Sequence, residues 1–186
     1  DLTPLAAAYC GFQFGGFAGQ LGDGAAMSLG RAPPNERGES WEIQLKGAGL
    51  TPFSRTADGR KVLRSSLREF LCSEAMHHLG VPTTRAAALV TSDTTVERDI
   101  QYNGDVRAER CSIVARVARS FVRFGSFELT RGDHPSSGRA GPSAGQHEAV
   151  LKPLIRHTLE HHYPHLLQAH DTLEAQTAAL LSEVME

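Results

Sequence analysis

The sequence predicts an α+β chain, in which a lobe of short antiparallel strands around one main helix is followed by the first helices of an all-helical lobe. Three observations predict it. Segments with the two-residue period of half-buried strands occupy the first two thirds, one long stretch at three- and four-residue spacing interrupts them, and helical patterning fills the chain beyond a Gly-, Pro- and Ser-rich loop. With 186 residues, 40% hydrophobic and 22% charged, the chain has the composition of one that buries a core, which excludes disorder throughout.

Taken in order, Tyr9 to Gly24 reads YCGFQFGGFAGQLGDG, and its six glycines oppose a helix and favour turns or close backbone approach. Ala26 to Leu29 is a short strand candidate, followed by a turn-rich connector from Gly30 to Ser40. Trp41, Ile43 and Leu45 alternate with Glu42, Gln44 and Lys46, which predicts a strand whose apolar face packs inward and whose polar face ends in Lys46. Gly47-Ala48-Gly49 stops that strand, and Thr51 to Gly59 is a polar connector. The clearest helix spans about Lys61 to Leu79, with Leu63, Leu67, Phe70, Leu71 and Ala75 at helical spacing and Gly80 and Pro82 ending it.

Ala86 to Thr91, Cys111 to Ala118 and Phe121 to Phe124 read as further short strands. Gly132 to Gly145 carries four Gly, two Pro and three Ser and reads as a surface loop or lobe boundary. Helices then run from about His147 to His162 and, after a break at Pro164, from about Leu166 to Val184. The organisation expected is therefore a mixed lobe over 1–131, a boundary loop over 132–145 and the start of a helical lobe over 146–186.

No run of 18 apolar residues is present, and the first residues, Asp1-Leu2-Thr3-Pro4, show no signal-peptide pattern, so no membrane partner is expected. The three cysteines, Cys10, Cys72 and Cys111, are odd in number and widely spaced, which fits a reducing compartment better than a disulfide framework or a zinc motif. Net charge is -2, but residues 46–131 carry +5 between flanks of -3 and -4, a distribution that suits an anionic partner. Sixteen of the basic residues are Arg and three are Lys, so each lysine stands out.

Four constellations bear on chemistry. Gly19, Gly22 and Gly24, between strand candidates, suit either a hairpin loop whose amides approach a phosphate or a glycine-rich turn without a ligand. Lys46 follows Gly22 by 24 residues, and Glu69 follows Lys46 by 23, mid-helix. Singly, both are ordinary surface charges; a glycine loop, a strand lysine and a helix glutamate in that order is the arrangement of protein-kinase-like nucleotide sites, where the glutamate orients the phosphate-contacting lysine. Arg116 and Arg123 lie seven residues apart, an odd offset that puts them on opposite faces of one continuous strand, so convergence on one ligand requires a bend; Arg119 is the alternative member. Five of nine histidines fall between His157 and His170, but two at i, i+4 spacing, His157 and His161, are too few for a closed metal site, and no metal ligands are assigned. No Asp-x4-Asn or Asp-Phe-Gly-like arrangement supplies the carboxylates that phosphoryl or nucleotidyl transfer requires, so no catalytic residue is assigned to this chain.

Several long runs carry a family resemblance: YCGFQFGGFAGQLGDG at 9–24, LKGAGLTPFSRTADG at 45–59, VLRSSLREFLCSEAM at 62–76, GVPTTR at 80–85 and RVARSFVRFGSFE at 116–128. With the His-His-Tyr-Pro stretch at 161–164, they resemble the selenoprotein O family of kinase-like protein adenylyltransferases. The resemblance implies a kinase-like nucleotide-binding lobe in which ATP is bound inverted and AMP passes to Ser, Thr or Tyr hydroxyls of protein substrates. It implies that Gly22 and Gly24 line the nucleotide, that Lys46 contacts phosphate with Glu69 as its partner, that Asp58 and Gly59 join the pocket, and that Arg116 and Arg123 hold phosphates. It also implies a Mg2+ cofactor whose ligands, with the catalytic Asp, lie beyond residue 186, so the chain alone is expected to be inactive. A cytoplasmic location is expected in a bacterium and a mitochondrial one in a eukaryote. Two positions depart from the family's usual pattern: Ala25 stands where it has arginine, and Phe12 where it has histidine.

Two other readings accompany this one. The same architecture serves an ordinary phosphotransferase or an inactive, pseudokinase-like nucleotide binder. The +5 middle also suits an arginine-rich module for RNA or another polyanion, against which stand an aromatic content of 6% and the absence of a basic stripe interleaved with aromatics; no nucleic-acid partner is expected.

Overall fold

A computed structural model describes residues 3–185. The chain forms two compact units, the first comprising residues 3–7 and Gly22–Phe121, the second Ala8–Leu21 and residues 122–185. Both mix strands and helix in the first part of the chain, and helices alone fill its last part.

The first unit is built on an antiparallel sheet of β3 (Ala26–Arg31), β4 (Glu42–Lys46), β5 (Lys61–Val62), β6 (Arg85–Asp99) and β7 (Val106–Ala118). β7 is the central strand: β4 and then β5 pair along one of its edges, β6 pairs along the other, and β3 pairs outside β4. Gln44 lies opposite Arg116, Lys46 opposite Val114 and Lys61 opposite Ser112. Because side chains alternate along β7, Ser112, Val114 and Arg116 share one face, and their partners Lys61, Lys46 and Gln44 project from that same face. Val62, Cys111, Val114 and Ala118 are buried in the sheet.

Helix α1 (Leu63–His78) follows β5 directly and ends at Gly80, whose φ of +79° and amide bond to the His77 carbonyl close the last turn. Its shielded side is not the leucine stripe: Leu67, Leu71 and Leu79 are exposed, whereas Ser66 is buried and Leu63, Glu69, Phe70, Ser73 and Glu74 are half-buried. Two carboxylates tie that side to the sheet. Glu69 reaches Lys46 and Arg116, and Glu74 accepts two bonds from Arg85, at 2.8 and 2.7 Å, and one from the Ala86 amide. The Arg85 guanidinium, with that amide, holds the Glu74 carboxyl down to about 2.

The alternation expected for residues 41–46 is present in β4, but its polar side is the more deeply covered. Gln44 is 1% exposed, whereas Trp41, Ile43 and Leu45 are only half-buried. The reason is that α1 carries polar anchors, so the face beneath it is a hydrogen-bonding surface rather than an apolar one. The strands expected at 86–91 and 111–118 form parts of a much longer hairpin whose far end is polar and exposed.

In the second unit β1 (Cys10–Gln13) and β2 (Gly16–Gln20) make a hairpin through Phe14 and Gly15, both at positive φ, the geometry of a tight two-residue turn. The strand expected from Phe121 to Phe124 is absent. Residues 119–123 have no regular structure and Phe124–Phe127 form a short helix, α2, at whose start the Ser126 hydroxyl accepts the Arg123 amide. Gly125 is required there, because a Cβ on it would lie 1.9 Å from the Cys10 carbonyl oxygen. Residues 132–145 form no helix or strand. A π-helical turn at His147–Leu151 leads into α3 (Lys152–His162), and Pro164 opens α4 (Pro164–Ala169). The single helix expected from Leu166 to Val184 is two, because the Thr172 hydroxyl accepts the Ala175 amide and starts α5 (Leu173–Met185) afresh. Leu159, Leu166 and Leu180 form the core of these helices.

Candidate functional site

The polar face of the sheet in the first unit carries a connected chain of side chains. Lys46 Nζ lies 2.9 Å from Glu69 Oε2, and the other oxygen of that carboxylate accepts from Arg116 Nη1 at 3.0 Å. Arg116 Nη2 donates to the Gln44 side-chain carbonyl, and Gln44 Nε2 donates to Asp23 Oδ2 at 3.0 Å. Each position follows from local structure. Lys46 and Gln44 are two residues apart on β4 and so share a face, Arg116 lies across from Gln44, and Glu69 projects from the sheet-facing side of α1. A half-buried lysine held by a carboxylate on a separate element is fixed in direction while its remaining donors stay available. Arg116 is structurally engaged on both terminal nitrogens, and its Nε is a buried donor with no protein acceptor among the described residues.

Beside this chain lies a cavity of about 440 Å³, lined by Gly24, Ala25, Asp58, Gly59, Lys61 and Arg98 among others. Part of its wall, residues 56–60, comes from the connector after β4, which reads in sequence as merely polar. Asp58 accepts the Arg60 amide at 2.9 Å and two bonds from Arg98 at 2.9 and 2.8 Å. Burial works to raise the Asp58 carboxyl, but the Arg60 amide and the Arg98 guanidinium outweigh it and hold the group below its ordinary range. Gly59 adopts φ +69°, and a Cβ on it would lie 2.0 Å from the Gly49 carbonyl oxygen, so the two glycine segments run in direct backbone contact.

Gly22 and Gly24 are not in a hairpin loop. Both lie in the first unit, where a Cβ on Gly22 would strike the Phe53 ring and one on Gly24 would lie 2.8 Å from the Phe53 carbonyl oxygen. Thr51 and Ser54 hydroxyls donate to the Asp23 and Gly24 carbonyls and fasten the segment to the connector. Gly19 belongs to β2 of the second unit. Arg119 is engaged elsewhere, paired with Glu39 and stacked 5.2 Å from the Trp41 ring. Arg123 belongs to the second unit, where its guanidinium lies 4.7 Å from the centre of the Tyr9 ring. His157 and His161 stack edge to face at 4.3 Å, and among the described residues no three His, Cys, Asp or Glu side chains converge as a metal-ligand set.

The structure thus brings Lys46, Glu69 and Arg116 into one ion-pair network, and Gly24, Asp58 and Gly59 onto one cavity wall. Sequence reading missed Gln44, Asp23, Lys61 and Arg98. Gln44 carried a signal, its shared face with Lys46, while Arg98 and Asp58 are 40 residues apart and meet only through the long hairpin. Within the basic middle of the chain, Arg64, Arg85, Arg98 and Arg116 are each paired with a carboxylate.

Known proteins are similar to this chain over its whole length. The family model described as "Protein adenylyltransferase SelO" matches residues 1–186. A human protein named "Protein adenylyltransferase SelO, mitochondrial" is 57% identical over 182 residues, covering 97% of this chain and 27% of the relative. Two bacterial proteins named "Protein nucleotidyltransferase YdiU" are also similar. The Azoarcus protein is 63% identical over 134 residues, covering 71% of this chain and 26% of the relative. The Xanthomonas euvesicatoria protein is 52% identical over 182 residues, covering 98% and 33%. The chain therefore spans about a quarter to a third of the length of these relatives. Among the described residues, no helix is long and apolar enough to cross a membrane.

Proposed function

The chain belongs to the SelO protein adenylyltransferase family, and from that premise we propose that it is the ATP-holding part of an enzyme that transfers AMP to Ser, Thr or Tyr hydroxyls of protein substrates. Residues 1–131 are then the kinase-like nucleotide-binding lobe, 132–145 the boundary loop and 146–186 the start of the helical lobe. The observation that carries the reading is the Glu69 carboxylate, which reaches from a helix across the sheet face to fix Lys46 at 2.9 Å. That is the arrangement by which a phosphate-contacting lysine is oriented in kinase-like sites.

In the reaction proposed, an acceptor oxygen bonds to the α-phosphorus of ATP, the bond from that phosphorus to the α,β-bridging oxygen breaks, the acceptor loses its proton and pyrophosphate leaves. The part of these residues is to hold and neutralise phosphates. Lys46 contacts a phosphate, Gly22 and Gly24 line the nucleotide, Asp58 and Gly59 complete the wall, and Arg116 and Arg123 hold phosphates. The buried, unpaired Nε of Arg116 is a donor that an anion would satisfy. The described residues do not fit a Mg2+ site: Asp58, the carboxylate of the cavity wall, is taken by Arg98, and no ligand cluster exists among them. No step here passes through a metal, and the 186-residue chain alone is inactive in this reading.

ATP labelled at the α- or the γ-phosphate tests the proposal in the full-length protein that carries this chain. Label retained on protein from the α position alone is the expected result. Label from the γ position would make it a phosphotransferase, and label from neither an inactive nucleotide binder.

A further inference from the structure

The nucleotide reading gives Lys46 a role and leaves a second lysine unexplained. Lys61 lies on the two-residue strand β5 opposite Ser112, and Lys46 lies on β4 opposite Val114. Their partners are two residues apart on β7, so both lysines leave the same face of the sheet, about 7 Å apart along the strand direction. The stem of Lys61 is closely seated, since a Cβ on Gly47 would come within 2.8 Å of the Lys61 Cβ, and Lys61 lines the cavity with Gly24, Asp58 and Gly59.

The charges around it do not balance. Glu69 is shared by Lys46 and Arg116, and Asp58 is taken by Arg98. Arg64, in the same cavity wall, is taken by Glu109. Among the described residues no carboxylate lies within ion-pair distance of Lys61, the one lysine of the cavity wall. Burial pushes its ammonium down from the ordinary range, and the neighbouring Lys46 charge pushes the same way against the opposing pull of Glu69. A half-buried ammonium beside a second lysine and without a counter-ion is stabilised by an arriving anion.

We propose that Lys61 is a second phosphate-binding lysine of this site, taking one phosphate of the bound nucleotide in the cavity beside Gly24 and Gly59 while Lys46, oriented by Glu69, takes another. This rests on the nucleotide reading, but it makes its own demand. The site holds two lysines that act together on the polyphosphate, of which one is steered by a carboxylate and the other is free to be neutralised by the ligand itself.

Calorimetric titration of the full-length protein with ATP, inorganic triphosphate and adenosine tests it, comparing wild type with Lys61→Ala and Lys61→Arg. Loss of one charge-assisted phosphate contact is expected to weaken ATP and triphosphate about tenfold in Lys61→Ala, to leave adenosine within about twofold, and to be largely restored by Lys61→Arg. Lys61→Met retains the packed stem and replaces the alanine variant should thermal melting show the latter unfolded. ATP affinity of the folded Lys61→Ala or Lys61→Met protein within about twofold of wild type would overturn the proposal. Wild-type protein that binds triphosphate but not ATP would overturn the nucleotide reading and leave Lys61 to be judged on the triphosphate arm; binding of neither overturns both.

Discussion

Lys46→Ala in the full-length protein is expected to lower AMP transfer from α-labelled ATP by at least about a hundredfold, the scale on which removal of one preorganised charge contact to a reacting group acts. The loss should fall on transfer and not on the fold. Lys46 is partly exposed and its carboxylate partner keeps a second cation, because Arg116 still donates to Glu69 at 3.0 Å. The melting temperature should therefore stay close to that of wild type. Glu69→Gln should give a smaller loss, since the amide preserves shape and some hydrogen bonding but not the charge that directs the ammonium. Unchanged labelling by a folded Lys46→Ala protein would remove Lys46 from the phosphate site.

The second large effect expected is on stability. Gly59→Ala should destabilise the first unit by about 3 kcal/mol or more, combining left-handed backbone strain with a steric clash. The clash is with backbone: the Gly49 carbonyl oxygen lies 2.0 Å and its carbon 2.4 Å from where the Cβ would stand, and no side chain can turn away to relieve it. Gly38→Ala is the control, because Gly38 also has positive φ, +75°, but nothing within 4 Å of an added Cβ. It should cost only about 1 kcal/mol of backbone strain. Thermal melting should place Gly59→Ala about 10 °C below wild type, and well below Gly38→Ala. Equal melting of the two variants would mean that the Gly49–Gly59 contact does not constrain the cavity wall.

Lys46 and Glu69 were legible in the sequence because each sits on an element with a clean period. Six alternating residues place Lys46 on the polar face of a strand, and a sixteen-residue helix places Glu69 mid-length. The depth of that polar face was not legible. Alternation says which residues share a side, and it does not say that the covering helix will present Glu69 and Glu74 instead of its leucines. Lys61 was absorbed into the start of the helix, because two residues of strand followed at once by Leu63 carry no period of their own. The Asp58–Arg98 pair depends on a hairpin whose outer half, polar and exposed, lacks the apolar alternation that marks a strand. At Phe121–Phe124 the apolar run is a misleading signal, and the decisive residues follow it: Gly125 against Cys10, and Ser126 as a cap.

The central claim is that nucleotide phosphates sit against the lysines of the first unit. The chain has only three lysines, Lys46, Lys61 and Lys152, so an ATP analogue with a lysine-reactive acyl phosphate reads the position directly. Mass spectrometry of the labelled full-length protein should find modification at Lys46 or Lys61 that excess ATP suppresses, with any modification at Lys152 insensitive to ATP. ATP-suppressed labelling at Lys152, with none at Lys46 or Lys61, would contradict the account.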